Sequence, residues 1–276
     1  MLVRSILACA LLLLAACAAA PAPTPNNASP PTLAALEGDY FRIDSAILQR
    51  PLHIYVRLPA LYARESESYP TVYLLDGDSL FPMLAPTHIF AGYDEHVPEA
   101  IVVGVAYGTF GDGNMRHIDF APAPEGDAAA FQRFLAEELI PEIERRYRSD
   151  ASRRVLAGQS RGGSFVLYSA LTAPDLFWGR IASNPALAPR EVFYAGPAAA
   201  AREDLRVFVA SGERDRPSLR AQALDWFAYA DARDWPWELE TTTIENGTHA
   251  ARMGEVYVRG MVWLFREDVE AATAAP

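Results

Sequence analysis

Gly158-Gln159-Ser160-Arg161-Gly162 sets a serine between the apolar stretch Arg153-Arg154-Val155-Leu156-Ala157 and a helix-like run from Ser164 to Leu171. A G-x-S-x-G in that setting predicts a sharp strand-to-helix turn that lifts the serine Oγ above a sheet. Small residues two before and two after the serine keep side chains from colliding across the turn. The helix start behind it offers a positive dipole end and a backbone N–H for an oxyanion. The chemistry such a serine supports is nucleophilic attack on a carbonyl. The pattern alone occurs often by chance, so the strand before it and the helix after it carry the weight.

A serine nucleophile needs a base. The chain has five histidines, His53, His88, His96, His117 and His249, and only His249 follows Ser160. Around an elbow of this kind the chain order is serine, acid, histidine. His249 ends the turn-rich Glu245-Asn246-Gly247-Thr248-His249, just past the strand-like Trp237 to Ile244. That places it on a loop at the C-terminal end of a late strand, where a base must hang to reach Ser160. The acid belongs after the strand between them. Leu205 to Ala210 reads as a buried strand, and Ser211-Gly212-Glu213-Arg214-Asp215 follows it. Asp215 is the first choice to hold the imidazole tautomer and stabilise the imidazolium; Glu213 is its rival.

The elements that position these residues alternate along the chain. Tyr40 to Ala46 and Leu52 to Leu58 read as an antiparallel hairpin. Thr71 to Leu75 and Ala100 to Ala106 are continuous apolar runs, as strands buried on both faces should be. Phe131, Phe134, Leu135, Leu139 and Ile143 mark a helical face that Pro141 either kinks or restarts. Arg180 to Ser183 adds a strand, and Met261, Leu264 and Phe265 fit the buried face of a closing helix. The expectation is a single α/β domain with a mostly parallel, doubly wound sheet and no large separate lid. Asp76-Gly77-Asp78 would end the Thr71 strand beside the elbow, and the N–H groups of Asp78 and Arg161 are the candidate oxyanion-hole pair. His88, His96, Tyr107, His117 and Asp119 lie in predicted loops at the same end, either lining a pocket or simply exposed. Asn184-Pro185-Ala186-Leu187 is a candidate pocket wall. The histidine spacing matches no zinc signature.

These stretches carry a resemblance. Val72-Tyr73-Leu74-Leu75-Asp76-Gly77-Asp78, Arg116-His117-Ile118-Asp119-Phe120, Phe134 to Ile143, Ala157 to Gly163 and Gly212-Glu213-Arg214-Asp215 are similar to motifs of the putative-esterase (esterase D-like) family of α/β-hydrolases. That family includes periplasmic siderophore-trilactone esterases and carbohydrate and acyl esterases. The resemblance runs from about residue 40 to the C-terminus and implies an α/β-hydrolase fold and an esterase. Arg161 departs from it, standing where the family places a small or aromatic residue.

Composition frames the rest. The 276 residues are 51% hydrophobic, ample for one large domain. All 24 basic residues are arginine, against 35 acidic ones, for a net charge of −11. Nucleic acid would not be steered to such a surface. Met1-Leu2-Val3-Arg4 is a positive n-region, and Ile6 to Leu14 is an apolar core too short for an ordinary membrane span. Leu14-Ala15-Ala16-Cys17 reads as a bacterial lipobox: residues 1–16 a lipoprotein signal peptide, Cys17 the lipidated residue, 17–36 a Pro/Ala-rich tether and 37–276 the α/β-hydrolase catalytic domain. The alternative is secretory cleavage around Ala18 to Ala20. The lipobox reading gives a periplasm-facing lipoprotein of the bacterial envelope, sorted to the outer membrane, touching the membrane through its N-terminal lipid. The other cysteine, Cys9, falls in the removed segment, so no intramolecular disulfide is expected.

Together these features predict two-step acyl transfer on a small-molecule ester, with Ser160, Asp215 and His249 as a triad and no metal or cofactor. An acyltransferase on the same fold and a non-catalytic tethered binding protein stand as alternatives. Oligomeric state is not encoded in any of these features.

Overall fold

The computed structural model describes residues 38–274. The segments expected to be a signal peptide (residues 1–16) and a tether (17–36), with Cys17, lie outside them. Eight strands form one sheet: β1 (Asp39–Ser45), β2 (Arg50–Arg57), β3 (Tyr69–Leu74), β4 (Ile101–Ala106), β5 (Ser149–Gln159), β6 (Gly179–Ser183), β7 (Arg206–Gly212) and β8 (Glu238–Ile244). Their spatial order is β1-β2-β4-β3-β5-β6-β7-β8. The β1–β2 and β2–β4 pairings are antiparallel, and all pairings from β4 to β8 are parallel. The mostly parallel α/β sheet expected from the sequence is therefore present. Six parallel strands point their C-terminal ends to one edge, where the fold gathers its loops.

The helices are α1 (Gly77–Glu95), α2 (Arg116–Asp119), α3 (Ala128–Phe134), α4 (Ile140–Arg146), α5 (Arg161–Thr172), α6 (Arg190–Phe193), α7 (Pro217–Asp231), α8 (Met253–Leu264) and α9 (Arg266–Ala274). A π turn over Leu135–Leu139 joins α3 to α4. Pro141 has no N–H to give to the Glu137 carbonyl, and the widened turn lets the chain stay helical through it.

Each central strand feeds two cores through its period-two alternation. Tyr73 and Leu75 face one cluster with Leu156, Phe131, Phe134, Phe165 and Trp226. Val72 and Leu74 face the other with Val155, Leu84, Val256, Tyr257 and Leu264. Thus α3, α5 and α7 cover one face, and α1 and α8 the other. No helix among the described residues is long and apolar enough to cross a membrane.

The sequence reading missed α1, because Pro82 and Pro86 lie inside it. Burial of Leu80, Phe81, Leu84 and Ala85 against the sheet holds those turns despite the missing donors. This also relocates His88, which is not a pocket residue. It is buried between α1 and α8, where Tyr257 Oη–H donates to Nδ1 (2.9 Å) and Nε2–H donates to the Pro98 carbonyl (3.2 Å). Burial, helped by the nearby Arg57 charge, pushes its pKa down to about 4 and keeps the ring neutral.

Candidate active site

The elbow turns where β5 meets α5. Ser160 has φ 59° and ψ −119°, a conformation disfavoured for a residue with a Cβ, and its N–H donates to the Ser183 carbonyl on neighbouring β6 (2.8 Å). A Cβ at Gly158 would lie 2.5 Å from the Gly162 carbonyl carbon, and one at Gly163 would lie 2.7 Å from the Ser183 carbonyl oxygen. Gly162, by contrast, would meet its nearest atom, a carboxylate oxygen of Asp76, at 3.3 Å. The tight demand for glycine is thus at 158 and 163 rather than symmetrically two before and two after the serine.

Three side chains from three loops meet above this turn. Ser160 Oγ–H lies 2.9 Å from His249 Nε2, and His249 Nδ1 lies 2.7 Å from Asp215 Oδ1. An ionised carboxylate can only accept, so Nδ1 carries the proton and Nε2 is left to accept from the serine. The Asp215 side chain is 1% exposed and that of His249 18%. Asp215 Oδ1 also accepts the Arg216 N–H (2.6 Å), which fixes the carboxylate orientation. Glu213 does not reach the imidazole. It is exposed and accepts the Asn246 N–H (2.8 Å), bracing the turn that carries the histidine.

The acid and base loops are laced together. Arg214 N–H donates to the Gly247 carbonyl (2.7 Å) and Glu213 N–H to the Ile244 carbonyl (3.0 Å). Asn184, which the sequence placed in a pocket wall, is instead buried beneath these loops. Its Nδ2 donates to the His249 carbonyl (2.9 Å), and its Oδ1 accepts the Gly212 N–H (2.6 Å). Gln159 Nε2 also donates to the His249 carbonyl (2.5 Å). Of that segment, Ala186 lines a small pocket of about 230 Å³ that shares Arg161 with the main cleft.

The main cleft, about 390 Å³, contains Ser160 and His249 and is bordered by Asp76, Asp78, Arg116, Arg161 and Arg216. Arg161 opens α5, so its N–H has no helical acceptor. Asp78 is the second residue of α1, and its N–H likewise has no acceptor among the described residues. Asp76 shares that property, with φ 52° at the β3–α1 junction, and is a donor the sequence reading did not single out. The Asp78 carboxylate accepts the N–H groups of Tyr107 (2.7 Å) and Gly108 (2.8 Å), tying α1 to the end of β4.

Arg116 clamps the Asp76 carboxylate through Nε (2.6 Å) and Nη2 (2.9 Å). Burial works against its charge, but the Asp76 carboxylate outweighs it and raises the guanidinium pKa. Phe110, 78% exposed, stands at the cleft mouth. Neither Arg116 nor Phe110 was singled out from the sequence for the site; the contact that places Arg116 spans 40 residues. Tyr107 and Asp119 lie outside the cleft: Tyr107 Oη–H donates to Asp119 Oδ2 (2.8 Å), and Arg50 pairs with Oδ1. Burial raises the Asp119 pKa against the pull of Arg50 and Tyr107. His96 ends α1, and His117 touches Arg161 only through its carbonyl.

A sheet of this order, with a serine at the β5–α5 elbow, an acid after β7 and a histidine after β8, defines an α/β-hydrolase. The family model described as "Putative esterase" matches residues 45–257, and the chain belongs to that family. It is 35% identical over 158 residues to the ferri-bacillibactin esterase BesA of Bacillus subtilis, covering 50% of this chain and 54% of that one. It is 28% identical over 159 residues to the apo-salmochelin esterase of Escherichia coli O6:H1, covering 52% and 49%. The chain spans about half the length of the curated relatives it matches. The crystal structure of the BES protein from Bacillus cereus superposes with a TM-score of 0.73 at 22% identity, over 86% of this chain and 97% of that one. That likeness is one of fold.

Proposed function

We propose that this protein is a serine hydrolase that cleaves carboxylic esters through an acyl-enzyme on Ser160. The observation that carries the reading is the continuous hydrogen-bond chain Ser160–His249–Asp215 at the mouth of a cleft. His249 takes the serine proton as Oγ attacks the ester carbonyl, and Asp215 stabilises the resulting imidazolium. The oxyanion is received by the Arg161 N–H and a second N–H from the β3–α1 junction, that of Asp78 or of Asp76. The alcohol leaves with the His249 proton, and water then cleaves the acyl-enzyme by the same route. Protein groups alone carry these steps.

The two esterase relatives, together with the resemblance to a family that includes siderophore-trilactone esterases, favour siderophore lactones as the ester, ahead of simple acyl or carbohydrate esters. The test is a panel: 4-nitrophenyl acetate, longer acyl esters, a siderophore trilactone and a feruloyl sugar. The expected result is turnover of 4-nitrophenyl acetate with the highest kcat/KM on the trilactone. A higher value on the feruloyl sugar would reassign the substrate, and no turnover of any ester would refute the reading.

The same proposal extends to location. Leu14-Ala15-Ala16-Cys17 supports a lipoprotein lipidated on Cys17, with residues 17–36 tethering the catalytic domain, residues 37–276, to the outer membrane on its periplasmic side. The several acyl chains of such an anchor hold stably where one would not. Expressed in a bacterium, the protein should fractionate with membranes, and Cys17→Ser should abolish lipidation without changing kcat. A soluble wild-type product beginning after Ala20 would contradict this.

A further inference from the structure

We infer that Arg161 and Arg216 form an anion subsite beside Ser160, so that the preferred ester carries an oxyanion, such as a carboxylate, on one of its arms. The inference rests on the serine-esterase reading above and adds to it a substrate chemistry. It starts from the charges that border the cleft: three guanidinium groups, Arg116, Arg161 and Arg216, and two peripheral carboxylates, Asp76 and Asp78.

Both carboxylates are already engaged. Asp76 is clamped by Arg116 through two bonds, which also neutralises that arginine. Asp78 accepts two backbone N–H groups. The third carboxylate, Asp215, is committed to His249. Neither Arg161 nor Arg216 pairs with any carboxylate among the described residues.

Arg161 makes one long bond, from Nη1 to the His117 carbonyl (3.4 Å), and its remaining donors are open. Arg216 is held through its backbone alone, its N–H donating to Asp215 and its carbonyl accepting the Arg220 N–H (2.9 Å), and its guanidinium has no partner among the described residues. Both side chains are exposed to the cleft solvent. In a chain with 35 acidic and 24 basic residues, acidic side chains to quench them are abundant. Two free guanidinium groups at the reacting serine therefore run against the charge of the protein as a whole.

A guanidinium offers a planar fork of donors that matches an oxyanion in two parallel bonds. An ester bearing such a group gains these contacts while its carbonyl sits at Ser160 Oγ, and a neutral ester of the same shape does not.

Two matched pairs of esters test this. 4-Acetoxybenzoate against 4-acetoxybenzamide places the charge on the alcohol arm. The mono-4-nitrophenyl ester of adipate against 4-nitrophenyl hexanoate places it on the acyl arm. The wild-type enzyme should prefer the anion in at least one pair by about tenfold in kcat/KM, the scale of one charge-assisted contact, and mainly through KM. That preference should shrink as ionic strength rises. It should vanish in the Arg161→Ala/Arg216→Ala double variant and largely survive in Arg161→Lys/Arg216→Lys. No anion preference in either pair, or an equal loss on charged and neutral members in the double variant, would overturn the subsite. Hydrolysis of the neutral members reports on the esterase reading separately: their turnover by wild type and loss in Ser160→Ala leave that reading standing even if the anion preference fails.

Discussion

Ser160→Ala is expected to lower kcat by about a million-fold while leaving the fold and substrate binding in place. The alanine removes only Oγ, an atom whose one described partner is His249 Nε2. It keeps the N–H that donates to Ser183, so the elbow retains its anchor. What remains is the slow attack of water assisted by the oxyanion donors, on the order of 10³–10⁴ above the uncatalysed rate. Circular dichroism and steady-state turnover on 4-nitrophenyl acetate check the two halves of this expectation. Turnover close to wild type in a folded variant would remove Ser160 from the reaction.

The second large effect concerns the acid. Asp215→Asn should cost on the order of 10³–10⁴ in kcat with little change in thermal stability. The route is set by the Arg216 N–H, which donates to the same oxygen as the imidazole. That bond favours turning the asparagine carbonyl oxygen toward His249, preserving the tautomer and losing the negative charge that stabilises the imidazolium. If the amide turns the other way, the tautomer is wrong and the Arg216 N–H loses its acceptor. Glu213→Gln should change kcat less than tenfold, since its carboxylate only braces Asn246 and the amide oxygen can still accept that bond. Measured kcat values for the two variants on one ester decide the matter. A larger loss in Glu213→Gln would make Glu213 the acid.

The parts of the site that were legible in the sequence are those fixed by short-range sterics and chain order. The elbow could be read because its glycines, the preceding strand and the following helix lie within about twenty residues, and His249 because no other histidine follows the serine. Glu213 and Asp215 could not be separated with the same clarity. They sit two residues apart in one tight loop, and what distinguishes them is partners: the imidazole and the Arg216 N–H for one, the Asn246 N–H for the other. The helix α1 was hidden by Pro82 and Pro86, whose local cost is outweighed by apolar contacts that form only once the sheet is assembled. His88 looked like a loop histidine for the same reason, although it spans the space between two packed helices. The Arg116–Asp76 clamp joins residues 40 apart, and neither residue carries a local signal of the other. Strand positions and the mostly parallel sheet could be read from the apolar runs, whereas the strand order and the lining of the cleft follow from how the chain crosses over and its loops fold back over the strand ends.

The most direct test of the central claim is covalent. A fluorophosphonate mimics the tetrahedral intermediate and bonds only to a serine activated by a base. Intact mass followed by peptide mapping should find one adduct per molecule, on the peptide bearing Ser160. Ser160→Ala should take up none, and His249→Ala should label far more slowly. An adduct on another serine, or undiminished labelling of Ser160→Ala, would contradict the account.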